Sequence, residues 1–310
     1  MNQTFVSIIT INYNNSKLTF DFLKSLRENF PTAIPYEVII IDNGSNKESY
    51  IELENHVNKL SLESITLHRS NINLGFGGGN MLGAQFAKGN YLAFINNDII
   101  FIEDCFTPLI KFLQENKRVG VCTPQQYLGN NKPTSGLDYF HGIRKEIFGR
   151  SFVEKFFEKD RVKRNDFPYT KNSKADFIQG CFMFFYAEKF NEVGGFDTNI
   201  FLYFEEMDIC YRLKQKGYES YVIPSTKFIH LHGASTTQSM AIKQELLISK
   251  LYIYRKNYSF LKYKILQIII SKKLLFKSLL KPSCFQLFKI AFLGGHLKYS
   301  LKQKQKINNL

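Results

Sequence analysis

Two stretches decide the fold: Val6–Asn15, VSIITINYNN, and Tyr36–Ser45, YEVIIIDNGS. Each opens on an apolar, β-branched run and closes on small polar or acidic residues. Such runs suit strands buried on both faces, and the polar ends suit turns. Between them Leu18, Phe22, Leu26 and Phe30 form one stripe of a helix that stops before Pro31. Further strands are expected at 64–68, 91–95 and 119–123, with a helix over 108–117. Strand, helix, strand in this rhythm predicts an α/β fold with a mostly parallel central sheet and helices on its faces.

Polar groups then fall where such a sheet takes a ligand, beyond the carboxyl ends of its strands. Thr10 to Asn14, Asp42 to Ser45 and Asn96-Asn97-Asp98 follow three separate strands and are expected to converge on one crevice. Asn73-Leu-Gly-Phe-Gly-Gly-Gly-Asn80 reads as a flexible loop opening a helix from Met81 to Lys88. It makes a poor dinucleotide fingerprint, which disfavours a nicotinamide oxidoreductase.

The most chemical stretch is Gly194 to Gly217, GGFDTNIFLYFEEMDICYRLKQKG. A glycine turn leads through aromatic residues into Glu205, Glu206 and Asp208 at a helix start. Apolar neighbours there would partly bury the acids, and a carboxylate so placed has a raised pKa and can serve as a general base. Downstream, FIHLHGAS places His230 and His232 on one face of a strand as candidate ligands.

Taken together, VSIITINYNN, EVIIIDNGS, NINLGFGGGN, YLAFINNDI, IQGCFMFF, the 194–217 stretch and FIHLHGAS resemble glycosyltransferase family 2, and especially its bacterial rhamnosyltransferase-like branch. The resemblance covers roughly residues 5–240. It implies a GT-A fold, Rossmann-like and built for nucleotide-diphospho-sugars, and an inverting transfer of rhamnose or another hexose. It further implies a dTDP- or UDP-sugar donor held by Thr10, Asn12, Asp42, Asn43, Asn97 and the Gly75–Asn80 loop. Mg²⁺ or Mn²⁺ would sit on Asp98, with Asn96 where the family's first metal-motif acid stands, and with His230. Glu206 matches the family's catalytic aspartate and would be the base, with Asp208 in reserve. Gly180 would let donor and acceptor approach closely. A catalytically silent nucleotide-sugar-binding assembly protein, tethered to membrane, is the alternative from another class.

Composition separates the chain into two regimes. Of 310 residues, 44% are apolar and 22% charged, which excludes wholesale disorder. The five cysteines are scattered without a CxxC pair, arguing against a disulfide framework. The net charge is +14, yet 15 of the 41 Lys and Arg and only one of the 27 acids, Glu245, lie from residue 241 onward. That leaves 26 of each sign in residues 1–240. Residues 1–240 therefore read as the catalytic domain and 241–310 as a basic helical extension. Within it, 246–310 interleaves Leu, Ile, Phe and Tyr with Lys, as suits helices on an anionic membrane surface. No nucleic-acid motif accompanies the charge, so no nucleic-acid partner is expected. The N-terminus lacks the pattern of a signal peptide. With the resemblance, these features imply a cytoplasmic protein, peripheral on the inner face of the plasma membrane, acting on a lipid-linked or cell-surface polysaccharide acceptor.

Overall fold

A computed structural model describes residues 4–60, 64–140, 142–157, 159, 161–231 and 239–308. The chain opens as β1 (Val6–Asn12), α1 (Ser16–Asn29), β2 (Tyr36–Asn43), α2 (Lys47–Leu60), β3 (Ile65–Ser70), α3 (Gly75–Ala84) and β4 (Tyr91–Ile95). It continues through β5 (Ile99–Phe101), α4 (Phe106–Glu115), β6 (Val119–Leu128), β7 (Leu137–Asp138), α5 (Ile143–Phe148) and α6 (Arg150–Phe156). Then follow β8 (Ser173–Ala175), β9 (Phe177–Ile178), β10 (Phe182–Tyr186), α7 (Ala187–Glu192), α8 (Glu205–Gln215) and β11 (Glu219–His230). Three helices close it: α9 (Met240–Asn257), α10 (Phe260–Leu280) and α11 (Cys284–Phe292).

The main sheet runs β3-β2-β1-β4-β10-β6-β11-β5, with β8 on β11. Pairs β3–β2, β2–β1, β1–β4 and β6–β11 are parallel. β10 is antiparallel to both β4 and β6, so the sheet is mixed but mostly parallel, as expected. Its central strands are largely buried on both faces, and their alternate residues divide between two cores. Ile8 and Ile40 pack with Phe22 of α1 and Phe106 of α4. Ile9, Ile39, Ile41 and Phe94 face the other core, which Ile209 of α8 and Leu251 and Tyr254 of α9 complete. The period-2 alternation of a strand thus serves both layers from one apolar run.

The glycine-rich segment departs from expectation. It is no loop: α3 spans Gly75–Ala84, and the helix ends before Lys88. Packing overrides the poor helix propensity of glycine. Gly75 has φ +77°, and a Cβ there would stand 2.1 Å from the Phe201 carbonyl oxygen. A Cβ on Gly83 would stand 2.4 Å from Ile9 Cγ2. Only a helix with a bare face can lie this close to the sheet.

Past residue 240 the chain does not leave the molecule. α9 buries Leu247, Ile248 and Leu251 against the body, and its Ser249 Oγ donates to the Leu202 carbonyl (2.8 Å). Glu245, the single acid of this region, is buried and accepts from Ser300 Oγ (2.8 Å) and Leu301 N (2.7 Å). The chain's end returns to the β2–α2 turn, where Asn308 Nδ2 donates to the Gly44 carbonyl (2.7 Å). No helix among the described residues is long and apolar enough to cross a membrane.

Candidate active site

The carboxyl ends of β1, β2 and β4 meet as one polar floor. Asn12 Nδ2 donates to Asp42 Oδ2 (3.0 Å), and Thr19 Oγ1 donates to Asn12 Oδ1 (2.9 Å). Asn97 Nδ2 in turn donates to Thr19 Oγ1 (2.9 Å), joining the Asn96-Asn97-Asp98 turn to the first two strands. Asp42 is fully buried, receives the Ser45 N–H (3.2 Å) and pairs with Arg69 Nη1 (3.3 Å). Thr10 Oγ1 is buried with no hydrogen-bond partner among the described residues. Asn43 points elsewhere. Its amide donates to Asn73 Oδ1 and the Gly75 carbonyl and accepts from Leu74 N, so it fastens the entry to α3. Asn80 lies buried on α3.

Asp98, from the turn between β4 and β5, and His230, at the end of β11, come within 3.1 Å, Oδ1 to Nε2. Asp98 Oδ1 is buried and has no hydrogen bond among the described residues. Desolvation pulls the His230 imidazole down, but Cys181 and Asp98 more than reverse this and raise it to about 10. Gln126 Nε2 stands 2.8 Å from Nδ1 and orients the ring, while Cys181 Sγ donates to Gln126 Oε1 (3.6 Å). Raised so far, His230 is an imidazolium at neutral pH, so a divalent cation would have to displace its Nε2 proton before Asp98 Oδ1 and His230 Nε2 could hold the ion together. Two ligands about 2.1 Å from one octahedral ion stand about 3 Å apart, close to the observed separation. No group of three His, Cys, Asp or Glu among the described residues is placed to hold a metal ion, so further ligands would have to be oxygens of Asn96, substrate or water. His232 lies outside the described residues.

Glu206 enters from α8. Tyr203 and Phe204 both adopt left-handed backbone (φ +71° and +72°), an arrangement that costs on the order of 1–3 kcal/mol per residue. This reversal sets Glu205 and Glu206 at the helix start. Burial pushes the Glu206 carboxyl up to about 7 against its own backbone N–H, and Asp138 adds to the rise. Glu205 is buried and raised well above its ordinary value, first by desolvation and then by Glu206, and its Oε1 has no hydrogen-bond partner among the described residues. Gly180 lies against Glu206: a Cβ there would stand 3.7 Å from Oε2. One residue on, the Cys181 carbonyl accepts from Asn96 N (2.8 Å). Glu206 is thus joined to the Asp98–His230 pair through two consecutive residues of one turn.

Asp208 is directed to the far side of α8. It is fully buried, its Oδ2 receives Arg212 Nε (2.9 Å) and Lys256 Nζ (2.9 Å), and its Oδ1 receives Asn257 Nδ2 (3.1 Å). Both carboxylate oxygens are committed to cations or amides.

Sequence reasoning missed Arg69, Gln126 and Asp138. Gln125 and Gln126, both buried at the end of an apolar strand, are the signal that could have found one of them. The other two are ordinary charged residues whose importance lies in their partners.

The chain is similar to proteins of one kind. The model of the family described as "Glycosyl transferase family 2" matches residues 7–194, a span that stops short of Glu206 and His230. Rhamnosyltransferase WbbL of Escherichia coli K12 is 27% identical over 76% of this chain and 89% of its own. Polypeptide N-acetylgalactosaminyltransferase 3 of Drosophila melanogaster is 22% identical over 74% of this chain, which spans only 35% of that enzyme. Among solved structures, GalNAc-T7 with UDP, GalNAc and Mn²⁺ superposes with TM-score 0.58 at 17% identity, over 82% of this chain and 50% of its own. The mannosyltransferase PcManGT of Pyrobaculum calidifontis, with GDP-Man and Mn²⁺, gives 0.56 at 14% identity, over 96% and 83%. With a family match over more than half of its length and this fold, the chain belongs to glycosyl transferase family 2 and is a glycosyltransferase of GT-A architecture.

Proposed function

We propose that this enzyme transfers rhamnose or another hexose, with inversion, from a dTDP- or UDP-sugar to a hydroxyl of a lipid-linked or cell-surface polysaccharide acceptor. The observation that carries the proposal is Glu206: a carboxyl raised to about 7 that lies against Gly180, whose neighbour Cys181 bonds the backbone of Asn96. In one displacement, the acceptor hydroxyl gives its proton to Glu206 while its oxygen bonds the anomeric carbon. The bond from that carbon to the nucleoside diphosphate breaks on the opposite face, and the diphosphate departs with the electron pair. Asp98, His230 and the Asn96 carbonyl would hold Mg²⁺ or Mn²⁺. Such an ion supplies Lewis-acid stabilisation of the departing diphosphate. Thr10, Asn12 and Asp42 would hold base and ribose, consistent with a buried Thr10 hydroxyl that has no hydrogen-bond partner among the described residues. We assign the base to Glu206 alone, since Asp208 is consumed by Arg212, Lys256 and Asn257.

The UDP, GDP-Man and Mn²⁺ of the structural neighbours support a nucleotide-sugar donor with a divalent ion, and the WbbL likeness favours rhamnose. Residues 1–240 would carry the chemistry. Residues 241–310 would place it on the cytoplasmic face of an anionic membrane, with α9 fastening the two regions. The test is a thermal-shift screen of dTDP-, UDP- and GDP-sugars with Mn²⁺, followed by turnover of the hit. Stabilisation by one donor and nucleoside diphosphate release are expected. An enzyme that neither binds nor turns over any of them refutes the proposal.

A further inference from the structure

Helices α5 and α6, inserted between β7 and β8, carry a ridge that the chemistry above does not use. Phe148, Phe152, Phe156 and Phe157 are 43–53% exposed and lie ring to ring, with Phe148–Phe152 centroids 5.3 Å apart and Phe152–Phe156 4.5 Å. A soluble surface rarely leaves such a run uncovered. Its border is cationic: Arg144 lies over the Phe157 ring and Lys155 over Phe156. The acids of α5 and α6 offset little of this charge, since Glu146 pairs with Lys250 and Glu154 is buried.

The ridge adjoins α10. Lys273 Nζ of α10 contacts the Glu146 carbonyl of α5. Beyond that contact α10 exposes Phe276, Leu279 and Leu280, the last two to 76% and 87%, among lysines that no acid from residue 246 to 310 balances. Between α9, α10 and α11 a cleft of about 360 Å³ is lined by Arg255, Lys264, Phe260 and Phe292, with Lys264 Nζ over the Phe260 ring. A cation above an apolar floor suits a lipid phosphate.

We propose that α5–α6 and α10–α11 form one docking face for an anionic lipid bilayer, with the phenylalanine ridge inserting beside the acceptor side of the active site. Exposed aromatic residues fringed by unbalanced cations match the acyl boundary and phosphate layer of such a bilayer. A second copy of the chain fits poorly, because pairing this face with itself would bring like charges together. The ridge also has a short route to the chemistry. Asp138, whose charge raises Glu206, pairs with Arg150 Nη2 (2.6 Å), the first residue of α6. For its place in the reaction the inference rests on the lipid-linked acceptor proposed above, whose glycan would then rise from the bilayer next to Glu206.

The protein contains no tryptophan, so Phe152→Trp and Phe276→Trp each provide a single reporter that keeps the site apolar. With vesicles of phosphatidylglycerol and phosphatidylcholine in equal parts, both reporters should shift to the blue, and pure phosphatidylcholine should give little. In co-sedimentation, Phe152→Ser with Phe156→Ser should weaken vesicle binding about tenfold or more at unchanged circular dichroism and unchanged donor hydrolysis. A silent Phe152→Trp beside a responsive Phe276→Trp overturns the composite face. So do a shift with oligonucleotide in place of vesicles and a concentration-dependent shift without lipid. Vesicle binding by a protein that hydrolyses no donor would sink the proposed reaction and leave this inference standing.

Discussion

Replacing Glu206 by Gln separates a catalytic carboxylate from a structural one. The substitution keeps shape and removes the proton acceptor, so donor turnover should fall about 10²–10⁴-fold. In the wild type, activity should climb as pH rises toward about 7 and level off above it, since only the ionised carboxylate can take the proton. Stability should move the other way. The folded state holds the Glu206 proton up to about 7, whereas the unfolded chain releases it near 4.5. Between these values the folded state binds more protons, so stability declines with rising pH and is constant above. At about 1.4 kcal/mol for each unit of pKa, the ionised enzyme carries on the order of 3 kcal/mol of destabilisation that Gln would relieve. In calorimetry, Glu206→Gln should therefore melt roughly 5 °C above wild type at pH 8, with most of the gain gone by pH 4.5. Near wild-type turnover, or a gain in Tm that ignores pH, would refute the assignment.

Asp208→Ala should instead unfold the protein easily, costing about 3–5 kcal/mol by chemical denaturation, because Arg212 and Lys256 lose their shared buried partner. Chelation with EDTA should abolish turnover and Mn²⁺ should restore it. Asp98→Ala should weaken Mn²⁺-dependent donor binding at least tenfold by titration calorimetry, and should also lower the melting temperature near neutral pH because His230 loses its buried ion-pair partner. Gly75→Ala should cost about 2 kcal/mol or more, read as a lower Tm, because its Cβ would meet the Phe201 carbonyl in a left-handed backbone.

The sheet was legible because β1, β2 and β4 are almost wholly buried, so their sequences carry no alternation to misread. The polar strand ends were legible for a related reason, since Asn12, Asp42 and Asp98 interrupt apolar runs where the backbone turns. The α3 helix was not, because glycine's low helix propensity hides a packing requirement imposed by Ile9 and Phe201, both distant in sequence. Nor was the difference between Glu206 and Asp208 visible. Two residues apart on a helix, they face opposite sides, and what separates them is Lys256 and Asn257, supplied by a helix that composition alone reads as an appendage. The α5–α6 ridge escaped notice because its phenylalanines look like core until their exposure is known.

The anchoring of α9 has a practical edge. Cutting the chain after residue 240, the obvious way to make a soluble variant, would strip Asp208 of two of its three partners and release the Gly44 carbonyl from Asn308. The loosened α8 is the helix that presents Glu206, and Gly44 borders the turn that shapes the Asp42 pocket. A truncated enzyme would lose activity for reasons unrelated to lipid. Surface substitutions on an intact chain are the safer route to a version that stays in solution and still turns over.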